Sequence, residues 1–259
     1  MCSAIVVNAP VGVMDSGVGG LTVLKHLTRQ LPHEHFIYFA DSAYAPYGNQ
    51  SAVKIQQRCF TIADELIAQG AKALVVACNT ATAAAISTMR DHFPLPIIGM
   101  EPADKPAAAA SKNSVIGVLA TTGTLKSAQF AALLEHYGNG VQVVTQACVG
   151  LVECIEQGLL DDQQTINLLE TYCQPLIAAG ADTIVLGCTH YPFVRSHIQE
   201  IVGPDVTLID TGAAVAKRLQ QILTGKNLHN TVGEQGSLQF LTSGTSETQR
   251  VMRQLWQTL

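Results

Sequence analysis

Two stretches far apart in the chain follow one plan. AQGAKALVVAC (68–78) aligns without gaps on AAGADTIVLGC (178–188), with Ala68/Ala178, Gly70/Gly180, Ala71/Ala181, Val75/Val185 and Cys78/Cys188 identical. Each copy reads as a helix end closed by glycine, then a short apolar strand, then a turn that opens on a cysteine. Glycine suits the first feature because it takes the left-handed backbone of a helix end without a Cβ penalty. An unbroken apolar run of strand length suits a strand buried on both faces, as in parallel sheets. A second pair lies upstream: VGVMDSGVGGL (11–21) and IGVLATTGTL (116–125) each read as strand, loop of small polar residues, helix. Each half therefore carries a strand with a polar loop and, about 70 residues on, a strand with a cysteine loop. This is internal duplication of α/β units, and not a short-period repeat array.

The remaining pattern fits. Strands are predicted at 11–14, 36–39, 73–77, 96–99, 115–119, 141–145, 183–187 and 206–209, with helices at 19–31, 51–69, 81–91, 124–137, 163–179 and 193–201. IDTGAAVAKRL (209–219) opens a further helix, and SLQFLTSG holds a late strand. Alternation of this kind implies mainly parallel sheets covered by helices. The fold class expected is α/β: two pseudo-symmetric α/β domains with mainly parallel sheets and an active site in the interdomain cleft. The Pro- and Ala-rich stretch GMEPADKPAAAA (99–110) marks a boundary. The first domain is placed at 1–102 plus 211–259 and the second, inserted, at 103–210. A chain of 259 residues, 47% hydrophobic and only 14% charged, has material for two cores.

Several function classes fall away. A net charge of −5 without a basic stripe argues against nucleic acid. No stretch has the roughly 18 unbroken apolar residues of a membrane span, and the start, MCSAIVVNAP, lacks a basic n-region and cleavage pattern; a cytoplasmic protein is expected. The seven cysteines (Cys2, Cys59, Cys78, Cys148, Cys154, Cys173, Cys188) include no C-x-x-C, so neither a disulfide scaffold nor a metal site is expected. Cys59 and Cys173 sit in helical patterns and read as packing residues. Gly17-Val18-Gly19-Gly20 fails the G-x-G-x-x-G spacing, no P-loop appears, and no lysine has a pyridoxal-phosphate setting; no cofactor is expected. A glycine-rich turn that admits a small carboxylate explains that loop better.

In parallel sheets ligands bind beyond the carboxyl ends of the strands. The polar clusters all fall there: Asp15-Ser16-Gly17, Asp41 with Pro46-Tyr47-Gly48, Cys78-Asn79-Thr80, Thr121-Thr122-Gly123-Thr124, and Cys188-Thr189-His190. If the halves face each other, both cysteines look into one cleft. Matched thiols on opposite sides of a carbon suit inversion of a stereocentre, where one group takes a proton from one face and its twin returns one to the other. Each cysteine precedes a helix, whose N-terminus lowers thiol pKa and binds carboxylates. Asp15 and Asp41 are suited to receive an ammonium or to position a thiol. Simpler duties also exist: helix capping for Asp15, a turn aromatic for Tyr47, a helix start for His190. The rivals are a thiol hydrolase, which needs one cysteine only, and a binding protein for dicarboxylic amino acids, which releases no Cα proton.

DSGVGGLTV (15–23), YFADSAYAPYG (38–48), ACNTA (77–81), GVLATTGT (117–124) and LGCTHYPF (186–193) resemble glutamate racemases of the aspartate/glutamate racemase family. The resemblance runs from about residue 11 to 212 and is carried by both halves. Aspartate racemases typically have Thr-Glu after the second cysteine, whereas Thr189-His190 stands here. The resemblance implies cofactor-independent interconversion of L- and D-glutamate for peptidoglycan synthesis. It implies Cys78 and Cys188 as the catalytic pair, the first acting on D- and the second on L-glutamate, assisted by Asp15 and His190 respectively. It implies substrate contacts from Asp15, Ser16, Asp41, Pro46, Tyr47, Gly48, Asn79, Thr80, Thr121, Thr124, Thr189 and His190. The family's extra acidic helper corresponds by spacing to Glu156, with Glu153 as the alternative, because the usual C-P-x-x-V-P reads CVGLVE here. A homodimer is expected, and some members respond to a nucleotide precursor of the cell wall.

Overall fold

The computed structural model describes residues 7–259 except 101–106, 108, 129, 132–139 and 232. Its described strands form two parallel sheets. The first contains β1 (Val11–Asp15), β2 (Phe36–Ala40), β3 (Ala73–Val76), β4 (Ile97–Ile98) and β9 (Leu238–Thr242), in the order β4-β3-β1-β2-β9. The second contains β5 (Val115–Ala120), β6 (Gln142–Ala147), β7 (Thr183–Leu186) and β8 (Thr207–Ile209), in the order β6-β5-β7-β8. Read from the other edge, β8-β7-β5-β6 repeats β4-β3-β1-β2. The duplication seen in two segment pairs thus extends to the sheet order, and β9 is an addition to the first copy.

Register places the polar loops together. Val11 lies beside Phe36 and Ala73, and Val13 beside Tyr38 and Val75; Val118 likewise lies beside Thr145 and Val185. Central strands β1, β3 and β7 are buried along their whole length, which is why they carry no polar alternation. The α-helices that lie wholly within the described residues are α1 (Leu21–Gln30), α2 (Ala52–Ala68), α3 (Asn79–His92), α4 (Thr122–Leu125), α5 (Leu151–Glu156), α6 (Gln163–Ala178), α7 (Arg195–Val202), α8 (Gly212–Gly225) and α9 (Ser246–Thr258). Gly70 and Gly180, which close α2 and α6, have φ of +88° and +74°. The left-handed backbone expected at these two matched positions is present.

Most predicted elements appear within a residue or two. Helix α3 begins at Asn79, with Cys78 itself as N-cap, two residues before the predicted start. The segment 193–201 begins as a 3-10 turn (Tyr191–Val194) and becomes α-helical at Arg195. Half of the helix expected at 124–137, and much of the stretch 99–110, lie outside the described residues. Two helices escaped the sequence pattern. α5 is six residues long, too short for periodicity to register. α9 is mostly polar and turns only Val251, Met252 and Leu255 inward.

The largest core cluster runs through both halves, from Val11, Val18 and Tyr38 to Leu119, Leu151, Ile155, Leu186 and, on α9, Val251 and Met252. Cys59 and Cys173 are buried in α2 and α6, their thiols pushed up to about 12 and about 11 by burial. They are packing residues. No described helix is long and apolar enough to cross a membrane.

Candidate active site

The carboxyl ends of β1, β3, β5 and β7 converge, and two thiols lie among them, Cys78 5% and Cys188 7% exposed. They follow β3 and β7, the matching strands of the two sheets. A charge on Cys188 raises the pKa of Cys78, so the two sulfurs share one site. Their surroundings differ.

Cys78 caps α3, its sulfur accepting the Ala81 N–H at 3.4 Å, and its thiol points to Ser16 Oγ at 3.7 Å. Burial raises its pKa well above the ordinary thiol value, and the charge of Asp15 adds to this; the Ala81 and Ser16 contacts only partly oppose it. The helix N-terminus therefore does not leave this thiol acidic, contrary to the expectation from position. Asp15 is 1% exposed. Its Oδ2 accepts Gly17 N–H at 3.3 Å and Gly20 N–H at 2.8 Å; the buried Oδ1 has no close hydrogen bond among the described residues, and the Cys78 thiol is the side chain that acts on the carboxyl as a donor. Burial raises the Asp15 carboxyl, against the opposing charge of His190. Asp15 does cap its loop, and its carboxyl also meets the Cys78 thiol.

Cys188 has a relay behind it. Its sulfur lies 3.6 Å from His190 Nδ1, and His190 Nε2 lies 2.6 Å from Glu156 Oε1. Burial disfavours the imidazolium, but the hydrogen bonds and charges of Cys188 and Glu156 prevail and raise His190 well above its ordinary value. Of the two candidate acids, Glu156 is the one that reaches His190. Glu153 lies in the first turn of α5 and appears only as a charge that raises Tyr172.

The glycine loop is the seat for these groups. Val18 N–H donates to Glu156 Oε1 at 2.6 Å. A Cβ on Gly17 would meet Glu156 Oε1 at 1.8 Å, and one on Gly19 would meet His190 Nδ1 at 2.2 Å. Within the protein itself the loop receives the carboxylates of Asp15 and Glu156. Tyr38 holds the loop from below, donating to Gly17 O at 2.7 Å.

Thr80, Thr121 and Thr124 form a triangle of hydroxyls, with Oγ1 separations of 3.0, 3.2 and 3.0 Å. Thr121 caps α4, and Gly48 packs against it where a Cβ would come within 2.9 Å of its side chain. Thr189 offers its carbonyl to Thr22 Oγ1 at 2.9 Å. Asn79, Cys188 and Thr189 line a cavity of about 10 Å³, room for about one water.

Asp41 departs from expectation. It is fully buried and saturated: Arg58 grips it with Nε at 2.9 Å and Nη2 at 2.8 Å, Tyr47 hydroxyl donates at 2.6 Å and Ser243 hydroxyl at 2.7 Å. No oxygen is left for a substrate ammonium. The Tyr47 hydroxyl is spent on this contact, and burial followed by the Asp41 bond raises its pKa far above the ordinary phenol. Pro46, in a cis peptide with Ala45, and Gly48 belong to the loop that this network holds. Arg58, Ser243, Ser42, Tyr38 and Thr22 were not singled out by sequence reasoning. Ser42 stands inside the quoted DSAYAPYG; nothing local ties Arg58 or Ser243 to Asp41. No group of three or more His, Cys, Asp or Glu among the described residues is placed to hold a metal.

Known proteins fit this arrangement. The model of the Asp/Glu/Hydantoin racemase family matches residues 11–219. A glutamate racemase of Ectopseudomonas mendocina is 54% identical over 246 residues, 95% of this chain and 94% of that protein. Among solved structures, a glutamate racemase isoform from Bacillus anthracis superposes with a TM-score of 0.87 at 34% identity, covering 97% of this chain and 94% of that one. Escherichia coli glutamate racemase, solved with L-glutamate and the activator UDP-MurNAc-Ala, gives a TM-score of 0.80 at 30% identity, covering 95% of each chain. Matched thiols at the ends of matched strands, in a chain related to these proteins along nearly its whole length, have one explanation: the chain belongs to the Asp/Glu/Hydantoin racemase family and is a racemase.

Proposed function

We propose that this enzyme interconverts L- and D-glutamate by proton transfer between two thiols, without a cofactor. The observation that carries the reading is the pair Cys78 and Cys188, each at the end of an equivalent strand and each backed by its own acid, Asp15 on one side and Glu156 through His190 on the other. The relatives named glutamate racemase support the choice of substrate.

The site's electrostatics suggest how the two sides divide the work. A thiolate at Cys78 is opposed by burial and by Asp15, so the thiol holds its proton until that repulsion is relieved. A substrate ammonium beside Asp15 supplies the relief, and the unpartnered Oδ1 is the acceptor for it. On the other side, His190 as imidazolium gives a proton to Cys188, and as neutral imidazole takes one from it, Glu156 favouring the charged form. Following the resemblance, Cys188 removes the Cα proton of L-glutamate while Cys78 protonates the opposite face; Cys78 removes that of D-glutamate. Ser16, Asn79, Thr80, Thr121, Thr124, Thr189 and His190 face the carboxylates, whereas Asp41 and Tyr47 act by holding Pro46 and Gly48 in place.

The division into 1–102 plus 211–259 and 103–210 belongs to the same reading, supported by the membership of the two sheets. A cytoplasmic homodimer that supplies D-glutamate for peptidoglycan, with a nucleotide precursor as regulator, completes it; the activator bound by the E. coli relative supports the last point. The test is direct. Dialysed protein is given pure L-glutamate in D₂O. Racemisation with deuterium at Cα of the D-product is expected. A requirement for pyridoxal phosphate, or product that keeps its original hydrogen, would overturn the mechanism.

A further inference from the structure

The carboxylate that serves Cys188 is anchored from the opposite half of the molecule. Glu156 belongs to α5, beside the second sheet. Two of its three described donors come from the loops of the first: Val18 N–H on Oε1 at 2.6 Å, and Ser42 hydroxyl on Oε2 at 3.1 Å. The third, His190 Nε2, shares Oε1 at 2.6 Å. We propose that Ser42 is a positioning residue for the Cys188 half of the reaction, fixing the second oxygen of Glu156 so that the first faces His190 and orients the imidazole on the sulfur. The proposal rests on the two-thiol reading above.

The terminal torsion of a glutamate is broad and roughly two-fold. With one oxygen held, the carboxylate can still turn; with both held, it cannot. Oε2 accepts from Ser42 alone among the described residues. Ser42 is itself fixed, because Asp41 before it is gripped by Arg58, Tyr47 and Ser243, and Ala43 N–H after it donates to Ser243 Oγ at 3.2 Å. The other side of Glu156 is closed by Gly17, where no Cβ fits. Nothing equivalent touches Cys78, whose neighbours are Asp15, Ser16 and the Ala81 amide. Glu156 and His190 reach the Cys78 side only as charges acting on Asp15, so loss of the Ser42 hydroxyl is expected to act mainly on Cys188, which a merely structural contact would not do.

A half-reaction that needs one base separates the two. With 3-chloroglutamate, the thiolate takes the Cα proton, the C–H electron pair forms the Cα–Cβ double bond, and chloride leaves; no proton is returned to the other face. The Cα-L and Cα-D forms report the two thiols singly, and Cys188→Ala shows which form depends on Cys188. For that form Ser42→Ala is expected to slow elimination about 10-fold, in line with the loss of one hydrogen bond to a charged group. For the other form the rate is expected to stay within about twofold, which also shows that the variant is folded. Ser42→Thr, which keeps the hydroxyl, is expected to restore the rate. Equal loss on both forms, no loss on either, or failure of Ser42→Thr to restore the rate would overturn the role. If Cys188→Ala spares both forms, the two-thiol reading fails first, and this proposal with it.

Discussion

A racemase has to make two equal jobs out of unequal residues. L- and D-glutamate have the same free energy, so kcat/KM is equal in the two directions at every pH. The difference between Cys78, beside Asp15, and Cys188, beside His190, must therefore appear in kcat and KM separately. Cys78→Ala and Cys188→Ala are each expected to lower racemisation by about 10²–10⁴-fold or more, the usual worth of a positioned acid or base, as followed by optical rotation. Near wild-type activity in either variant would point to a one-thiol enzyme. Asp15 makes a second prediction. In Asp15→Asn the side-chain oxygen still accepts from Gly17 and Gly20, but the buried charge is gone. The folded-state pKa of Asp15 is raised, so its charge costs stability above that value, and the cost vanishes as pH falls below the ordinary carboxyl value of about 4. Asp15→Asn is expected to gain about 1 kcal/mol near pH 7, a rise in Tm of about 2–4 °C, while losing activity. The gain shrinks as pH falls through the raised value. Melting curves across pH test this; a Tm that falls at pH 7 would show that the charge stabilises the fold. The sequence made these residues visible because both thiols end apolar runs that match. It did not show that burial keeps Cys78 protonated, since burial is a property of the assembled halves.

Elements differ in how openly they announce themselves. The repeated Gly-strand-Cys unit was legible because glycine at a left-handed helix end and an unbroken apolar strand each leave a mark in the local sequence. The loop from Asp41 to Gly48 was legible as a site element, but its internal logic was not. An Asp beside a Tyr and a cis Pro looks like ligand chemistry until Arg58, on α2, and Ser243, after β9, are seen to fill its acceptor positions. Helix α2 therefore braces a loop it does not touch in sequence, and Arg58 also lies over the Tyr44 ring at 4.0 Å. Arg58→Met would leave a buried carboxylate short of its main partner. A loss of about 3 kcal/mol is expected, or roughly 10 °C in Tm. Arg58→Lys is expected to recover only part of it, because an ammonium cannot reproduce the two parallel bonds. Equal stability of both variants with the wild type, by thermal melting, would show that Asp41 does not need its guanidinium.

At the scale of the molecule, the two halves meet through small side chains. The threonine triangle joins Thr80 of the first half to Thr121 and Thr124 of the second, and on the proposed reading these hydroxyls are donors to the substrate's side-chain carboxylate. Aspartate is shorter by one methylene, so on that reading its side-chain carboxylate leaves such donors unpaired. A preference for glutamate of at least about 100-fold in kcat/KM is expected. Equal values for the two amino acids would count against this spacing as the selector. The duplication foretold two sheets. It could not foretell that one core would run through both, because a cluster that takes in Val18, Ile155 and Met252 depends on how the halves dock.

The parallel pairing of β9 with β2 also has a bearing on biosynthesis. Residues Phe36–Ala40 precede their outer neighbour, Leu238–Thr242, by about 200 residues of chain. At about 5–20 residues per second, the ribosome leaves β2 with a bare hydrogen-bonding edge for ten seconds or more, and bare edges invite pairing with other chains. The segment after β9 carries Ser243, which completes the grip on Asp41, so a nascent chain is expected to stay inactive until β9 docks. A chain that stops at Gly236 is expected to aggregate on expression, and a soluble, active truncation would show that the early strands protect themselves.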